Sequence, residues 1–347
     1  MTKEYAAYTG RKKLIIILLF ISTIALGLYA IAFGSANLSI AQVISALLGQ
    51  GNSSSQAVIC NIRLPRILAG LLAGAGLSVS GCVMQNNLRN PLASPITMGI
   101  SQAAAFGATL AIIALGVGKI QNSTTDAVII NNPYLVTSSA FIMSVVATLC
   151  LLVIFRRVSP EAMVLAGVAL GSLFTAGTTI IQYFAPDVQV AAIVFWSFGD
   201  LGRAAWREVA IMAGVVGLAL AYFMLRRWDY NALDSGEESA KGLGVNVQRV
   251  RLEGMFVSSL TTAVLVAFLG IIGFIGLVGP HMVRRVIGGD HRFLIPASAL
   301  TGALLLLFSD TLARTVIAPV VLPVGAITSF MGAPLLLYLI TRGYQRR

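Results

Sequence analysis

Long uncharged stretches, separated by short segments that hold most of the charges, dominate this sequence. A membrane-crossing helix needs about 20 mostly apolar residues. The uncharged runs near or above this length are Leu14–Phe33, Ile67–Leu88, Asn90–Gly118, Ala127–Phe155, Ala162–Pro186, Val209–Leu225, Gly254–Val283, Phe293–Ser309 and Thr315–Thr341. Gly254–Val283 would be about 45 Å long as one helix, and its glycines and Pro280 favour a break. The pattern therefore predicts about ten transmembrane helices, with both termini on the same side.

The first run also has features of a secretory signal peptide, because Arg11, Lys12 and Lys13 precede it. Its apolar stretch, Leu14–Phe33, is however longer than the roughly 7–15 residues that are typical of such a segment. We therefore expect a retained first span.

The composition agrees with a membrane protein. Of the 347 residues, 57% are hydrophobic and 11% are charged, whereas about 25% of the residues in soluble domains are charged. These values exclude a soluble globular enzyme. They predict a single transmembrane domain over the whole chain, 1–347.

The excess of basic residues follows from how the chain crosses the membrane. The formal net charge is +11, from 24 basic and 13 acidic residues. If the N-terminus lies in the cytoplasm, 18 Lys and Arg residues fall on inner segments, as the positive-inside rule requires. The six on outer segments are Arg63, Arg66, Lys119, Arg203, Arg207 and Arg314. The excess therefore predicts a multi-pass protein of the cell (inner) membrane with cytoplasmic termini, and not a nucleic-acid-binding surface.

Few residues are available for catalysis or metal binding. Cys60, Cys82 and Cys150 are scattered, and the two histidines, His281 and His291, are isolated. Such a set suggests neither a disulfide framework nor a metal cluster. We predict no catalytic residues, no metal site and no cofactor bound by this chain.

Two i,i+4 spacings within the predicted spans are informative, one about helix packing and one about charge pairing. Gly70 and Gly74 are four residues apart, which lets helix backbones approach closely in lipid; a substrate path is the alternative interpretation. Asp310 is an acid inside a predicted span, and Arg314 follows one turn later. We expect these two side chains to neutralise each other rather than to form a proton relay.

The predicted cytoplasmic loop at about 229–250 contains a short helix signal. Ser235 and Glu238 match a capping box, and Gly242 or Gly244 would end the helix. A helix of two turns is marginal by itself. It is therefore either held by a cytoplasmic partner or part of a solvated linker with a chance cap.

Motifs spread over nearly the whole chain resemble those of one protein family. They are Arg63–Gly70, Gly81, Gln85, Arg89–Ala93, Gly99–Ser101, Gly236–Gly244, Gly273–His281, Asp290–Arg292, Ala313-Arg314, Leu322–Thr328 and Gly332–Pro334. In this order and spacing, the set resembles the FecCD-type permeases, the membrane subunits of ABC importers for iron chelates, haem and cobalamin. Gly279 is one departure, since many relatives have a branched apolar residue there.

The resemblance implies an all-α fold of about ten transmembrane helices, the type II ABC importer permease fold. It implies a homodimer with the pathway between its subunits, two ABC ATPase subunits below and a soluble or lipid-anchored substrate-binding protein above. The sequence has no G-x-x-x-x-G-K-[ST] phosphate loop. The chain is therefore predicted not to be an enzyme, and ATP is expected on the partner subunit.

Two sets of site residues follow from the resemblance. The coupling segment, expected to contact the ATPase, consists of Ser235, Gly236, Glu237, Glu238, Ala240, Gly242, Leu243 and Gly244. The docking arginines, Arg63, Arg66 and Arg314, are expected to receive acidic residues of the binding protein. Anchoring to lipid phosphates is the alternative for these arginines.

The substrate class also follows from the resemblance alone. We expect a metal chelate, with an iron chelate (siderophore or haem) first and cobalamin as the alternative. A secondary transporter would need inverted repeats or intramembrane ionisable residues, and an intramembrane enzyme would need a nucleophile–base or metal constellation. Neither is clear in this sequence.

Overall fold

The computed structural model describes residues 2–33, 45, 50, 56–114, 118–120, 128–130 and 132–344. These residues are almost entirely helical. In chain order the α-helices are α1 (Thr2–Ala32), α2 (Leu64–Asn87), α3 (Ile100–Ile113), α4 (Pro133–Phe155), α5 (Pro160–Tyr183), α6 (Asp187–Ser197), α7 (Trp206–Leu225), α8 (Arg227–Asp234), α9 (Glu237–Gly242), α10 (Val247–Leu269), α11 (Ile275–Ile287), α12 (His291–Thr315) and α13 (Val324–Tyr344). A π-helical turn, Val58–Arg63, leads into α2, and a 3-10 turn, Leu201–Arg203, follows α6. Two short strands, β1 (Gly118–Ile120) and β2 (Val128–Ile130), pair antiparallel.

Each of the ten predicted spans corresponds to a helix. Within the described ranges, seven helices are long and apolar enough to cross a membrane, namely α1, α2 with its π-helical turn, α4, α5, α7, α10 and α12. The other three predicted spans correspond to α3, α11 and α13. The predicted break in Gly254–Val283 is confirmed, because α10 ends at Gly270, whose φ is +80°.

The chain runs up and down between two ends of the bundle. We call the end at which α8 and α9 lie the loop end, and the other the far end. Arg292 at the start of α12, which packs on α8, contacts the hydroxyl of Tyr5 in α1 at 3.3 Å. Arg285 in α11 donates to the carbonyl of Leu339 in α13. The first and last helices therefore both reach the loop end.

Helix α2 is the centre of the bundle, and close backbone contacts hold it there. It packs against α7, α10, α11 and α12. A Cβ atom at Gly74 would overlap the carbonyl of Gly302 in α12, and one at Gly302 would overlap the carbonyl of Gly74. The packing interpretation of the Gly70 and Gly74 spacing is thereby confirmed for Gly74.

Replacing Gly74 with alanine should destabilise the chain by about 1–3 kcal/mol, the usual cost of overpacking a close-packed core. The reason is that α2 and α12 must move apart to admit the methyl group. Thermal unfolding of the detergent-purified protein measures the effect. Gly214→Ala in α7 is the matched control, since nothing lies within 4 Å of a Cβ at Gly214. Equal melting temperatures for the two variants would contradict the packing role.

Candidate functional site

The predicted coupling segment forms a short helix at the loop end. Helix α9 extends from Glu237 to Gly242, between two glycines with positive φ, Gly236 (+114°) and Gly244 (+81°). Glycine adopts such conformations without a steric penalty. Ala240 is buried, whereas Leu243 is 73% exposed. The predicted short helix and its glycine stop are confirmed.

The predicted cap of this helix is wrong. Gly236, and not Ser235, is the N-cap residue of α9, and it has no side chain that could make a capping bond. Ser235 instead follows the last residue of α8, where its Oγ donates to the Asn231 carbonyl at 3.4 Å. The reason is that α8 is a separate helix held by the buried Tyr230 and Leu233, so that the turn between the two helices falls at Ser235 and Gly236.

One ion pair, between Glu237 and Arg251, joins α9 to α10, and two further pairs lie within α9. Glu237 contacts Arg251 at 3.1 Å and Lys241 at 3.3 Å, and Lys241 also contacts Glu238 at 3.2 Å. The hydrogen bond from Lys241 and the charge of Arg251 hold the pKa of the Glu237 carboxyl below its usual range. The side chain of Glu238 is 91% exposed. The exposed residues of α9 are therefore held in a fixed position relative to α10. The coupling role of this segment stays a prediction.

Hydrogen bonds fix α8 to the ends of α2 and α12. The amide nitrogen of Asn86 donates to the carboxylate of Asp234 at 2.7 Å and to the carbonyl of Tyr230 at 3.3 Å. The Asn231 side chain accepts from the backbone N–H of His291 at 2.8 Å, and the His291 side chain is fully buried. A movement of α8 and α9 would therefore pull on both helices.

The three predicted docking arginines lie at the far end, where two of them bind one buried acid. Asp310 is fully buried in α12. Its Oδ1 accepts from Arg66 Nη2 at 2.8 Å and from Arg66 Nε at 3.0 Å, and its Oδ2 accepts from Arg314 Nε at 3.0 Å. The predicted Asp310–Arg314 pairing is confirmed. The pairing with Arg66 was not predicted; the small number of acids near the spans was its only signal in the sequence.

Arginines also bind the last carbonyls of α1, which have no partner within their own helix. Arg63 is 5% exposed and donates to the carbonyls of Ile31 at 2.6 Å and Ala32 at 3.1 Å. Arg314, at 7% exposed, donates to the carbonyl of Phe33 at 3.4 Å. The guanidinium groups that were expected to face a binding protein are thus bound inside the chain, and the docking role stays a prediction.

A further part of the far-end surface surrounds Arg66. Its Nη2 lies 3.3 Å from Oδ1 of Asp200, whose side chain is 47% exposed. Arg203 donates to the carbonyls of Trp196 and Phe195 and so caps α6. The short helix α6 therefore lies between α5 and α7, and Arg203 in the following 3-10 turn binds its last carbonyls.

An open cavity of about 990 Å³ extends along α5. Ser172, Thr175 and Thr179 line it from one face of the helix, and each hydroxyl donates to the carbonyl four residues earlier in α5. Their lone pairs remain available to a ligand. Gln102 also lines the cavity, and its buried Oε1 has no partner among the described residues. Ser and Thr are enriched where membrane helices contact one another, so that this face of α5 is a candidate contact surface.

The helical fold, the two polar ends and the cavity along α5 define a multi-pass membrane permease. The chain belongs to the FecCD transport family, which it matches over residues 18–342. It has the type II ABC importer permease fold. Permeases of this family are transport subunits of ABC importers and are not enzymes themselves.

Individual relatives agree with this assignment. The chain is 56% identical to MJ0087 of Methanocaldococcus jannaschii, a protein named as an ABC transporter permease, over 99% of both chains. It is 36% identical to the hemin transport permease HmuU of Yersinia pestis, over 92% of this chain and 94% of the relative. It is 38% identical to the cobalamin import permease BtuC of Halobacterium salinarum, over 83% and 74%. A solved metal-chelate type ABC transporter in an inward-facing conformation superposes with a TM-score of 0.82 at 30% identity, over 94% of this chain and 99% of that one.

Proposed function

We propose that this chain is the membrane-spanning subunit of an ATP-driven importer that takes up an iron chelate, a siderophore complex or haem. The observation that supports it is the cavity along α5, with its row of hydroxyl oxygens. Ligand pockets hold about 300–1,000 Å³, and this one, at about 990 Å³, suits a bulky substrate. Weak, neutral acceptors suit a path that must also release its cargo.

The substrate path lies between two copies of the chain. The cavity is open to the surface, and its lining includes the exposed Tyr183 (82%) and Phe184 (81%) at and just after the end of α5. A second copy placed against this face would enclose the cavity and exclude lipid from the hydroxyl row. The homodimer therefore explains both the polar and the aromatic exposure of α5.

The two ends of the subunit meet different partners. At the loop end, α9 and the exposed Leu243 contact an ABC ATPase subunit. The far end receives the substrate-binding protein, at a surface that includes Arg66 and Asp200. This arrangement places the loop end in the cytoplasm of a cell whose inner membrane holds the protein, consistent with the concentration of basic residues at that end.

Iron chelates are placed before cobalamin on the share of the chain that is matched, while the identities are similar, 36% to the haem permease and 38% to the archaeal cobalamin permease. The haem permease matches a larger share of this chain than the archaeal cobalamin permease does. A cobalamin importer is the second candidate. A secondary transporter is a weaker one, because Asp310, a fully buried acid inside α12, is paired with two arginines.

Uptake by proteoliposomes that contain the chain with its ATPase and binding protein tests the proposal. We expect ATP-dependent accumulation of a ferric siderophore or of haem, and not of cobalamin. Thr175→Trp should fill the cavity and reduce uptake to the level of vesicles without ATP. Leu218→Trp, on an exposed position of α7, is the control and should transport normally.

Cobalamin accumulation alone would overturn the iron assignment. Uptake driven by an ion gradient without ATP would overturn the importer itself. Normal transport by the Thr175 variant would remove the cavity from the path.

A further inference from the structure

A second cavity, of about 410 Å³, lies at the loop end, where three segments meet. The turn after α2 contributes Arg89, α8 contributes its last residue, Asp234, and α11 contributes His281 and Arg284; Asn86 at the end of α2 completes the wall. The cavity is separate from the one along α5, because the two share none of these lining residues.

The cavity holds one guanidinium, that of Arg284, whose counter-charge in the same wall, Asp234, does not contact it directly. Nη2 of Arg284 is buried and has no hydrogen-bond partner among the described residues. Within the same residues, no carboxylate oxygen lies within 4 Å of the Arg284 guanidinium, in contrast to Arg66 and Arg314. A guanidinium N–H that is buried without an acceptor is costly, so that Nη2 of Arg284 indicates a further anionic ligand in this cavity.

Arg89 adds a second guanidinium to the same cavity. Its backbone has a φ of +47°, a conformation that is uncommon for a residue other than glycine. Its Nη2 makes one long hydrogen bond, 3.4 Å, to the carbonyl of Leu233, which leaves most of its five N–H donors for a ligand. Two guanidinium groups on different segments can bind two edges of one tetrahedral anion.

The cavity also offers acceptors, which a simple anion would not need. Asn86 is 4% exposed. Its amide nitrogen donates to Asp234 and Tyr230, but its buried Oδ1 has no partner among the described residues. Asp234 supplies a carboxylate in the same wall, and burial raises the pKa of this group. The ligand should therefore contain both anionic oxygens and a hydroxyl that can donate.

We propose that this cavity binds a hydrogen-phosphate group, with Arg89 and Arg284 on its anionic oxygens and Asn86 or Asp234 on its P–OH. Sulfate has the same shape and charge, but at neutral pH it has no proton to donate, and it would meet the carboxylate of Asp234 with like charge. The site therefore selects phosphate over sulfate. A bound phosphate would join the turn after α2, the end of α8, and α11. The proposal does not depend on the iron chelate.

Equilibrium binding of radioactive orthophosphate to the full-length, detergent-purified chain is the primary test. We expect saturable binding of one phosphate per chain, with a dissociation constant of about 1 mM or lower. Sulfate should compete for the site at least about tenfold more weakly than phosphate does. A soluble short-chain phosphatidic acid forms a second arm. Tighter binding of this lipid than of orthophosphate identifies a lipid headgroup as the source of the phosphate, and the reverse order identifies free phosphate.

Variants separate the site from general charge effects. Arg284→Gln should weaken phosphate binding about tenfold or more, as the loss of a charge-assisted contact predicts. Asp234→Asn should reduce the preference for phosphate over sulfate. Arg285→Gln is the matched control, because Arg285 is the next residue of α11, is exposed and does not line the cavity; it should bind phosphate as the unchanged protein does.

The binding measurement on the unchanged protein decides the proposal even if a variant fails to fold. Lack of saturable binding at millimolar phosphate would overturn it. Equal binding of sulfate and phosphate, or an equal loss in the Arg284 and Arg285 variants, would also overturn it.

Discussion

Replacing Asp310 with alanine should lower the free energy of unfolding by about 3–5 kcal/mol, the typical cost of removing one partner from a buried ion pair. Asp310 is fully buried, and its carboxylate accepts from Arg66 and Arg314 at 2.8–3.0 Å. Without it, two arginines of the bundle interior lose their shared anion. Thermal unfolding and the monodisperse yield in detergent measure the effect.

Asp200→Ala is the matched control for this prediction. Asp200 contacts the same Arg66 at 3.3 Å, but its side chain is 47% exposed. An exposed ion pair contributes up to about 1 kcal/mol, so that the melting temperature should change little. Equal loss in the two variants would contradict the special role of the buried carboxylate.

The Asp310 result also decides how the predicted docking arginines should be tested. Charge reversal at Arg63 or Arg66 would break contacts to α1 and to Asp310, and would therefore disturb the fold as well as any docking surface. Weaker binding of the substrate-binding protein counts in favour of docking only where stability is retained. Partial rescue by the matching charge reversal on the binding protein would establish the contact.

Replacing Gly242 with tryptophan should abolish most stimulation of ATP hydrolysis and most transport, a loss of about tenfold or more, as expected for a disrupted contact at an interface centre. The isolated subunit should keep its stability, because nothing lies within 4 Å of a Cβ at Gly242. Glu238→Lys should act in the same direction, since the Glu238 side chain is 91% exposed. ATPase rates of the reconstituted complex, with and without the binding protein, provide the measurement.

Gly214→Trp in α7 is the control for bulk alone, because a Cβ at Gly214 also meets open space. It should leave ATP hydrolysis and transport unchanged. If the Gly242 and Glu238 variants stimulate hydrolysis and import normally, α9 is not the coupling element. If the Gly242 and Glu238 variants fail to insert or fold, these two positions are not exposed as the structure describes.

The helix pattern was predictable because its signals are local. The lack of charge over each span and the glycines near Gly270 suffice to place ten helices and the break after α10. The short helix α9 was also predicted, although its cap was not. Whether Ser235 caps α9 or ends α8 depends on the burial of Tyr230 and Leu233 against the bundle, which no spacing in the loop reveals.

The sequence by itself determined the class of protein, the positions of the apolar helices along the chain and the Asp310–Arg314 pair, because apolar length and an i,i+4 spacing act within one helix. Only the tertiary structure decided which arginine shares Asp310. Arg66 lies 244 positions from that acid, and only the packing of α2 on α12 brings the two together. Likewise, Arg63 reaches the carbonyls of α1 only because α1 ends beside the π-helical turn. A charge in an apolar bundle must find a partner wherever the fold places one, and helix packing, not sequence distance, sets that place.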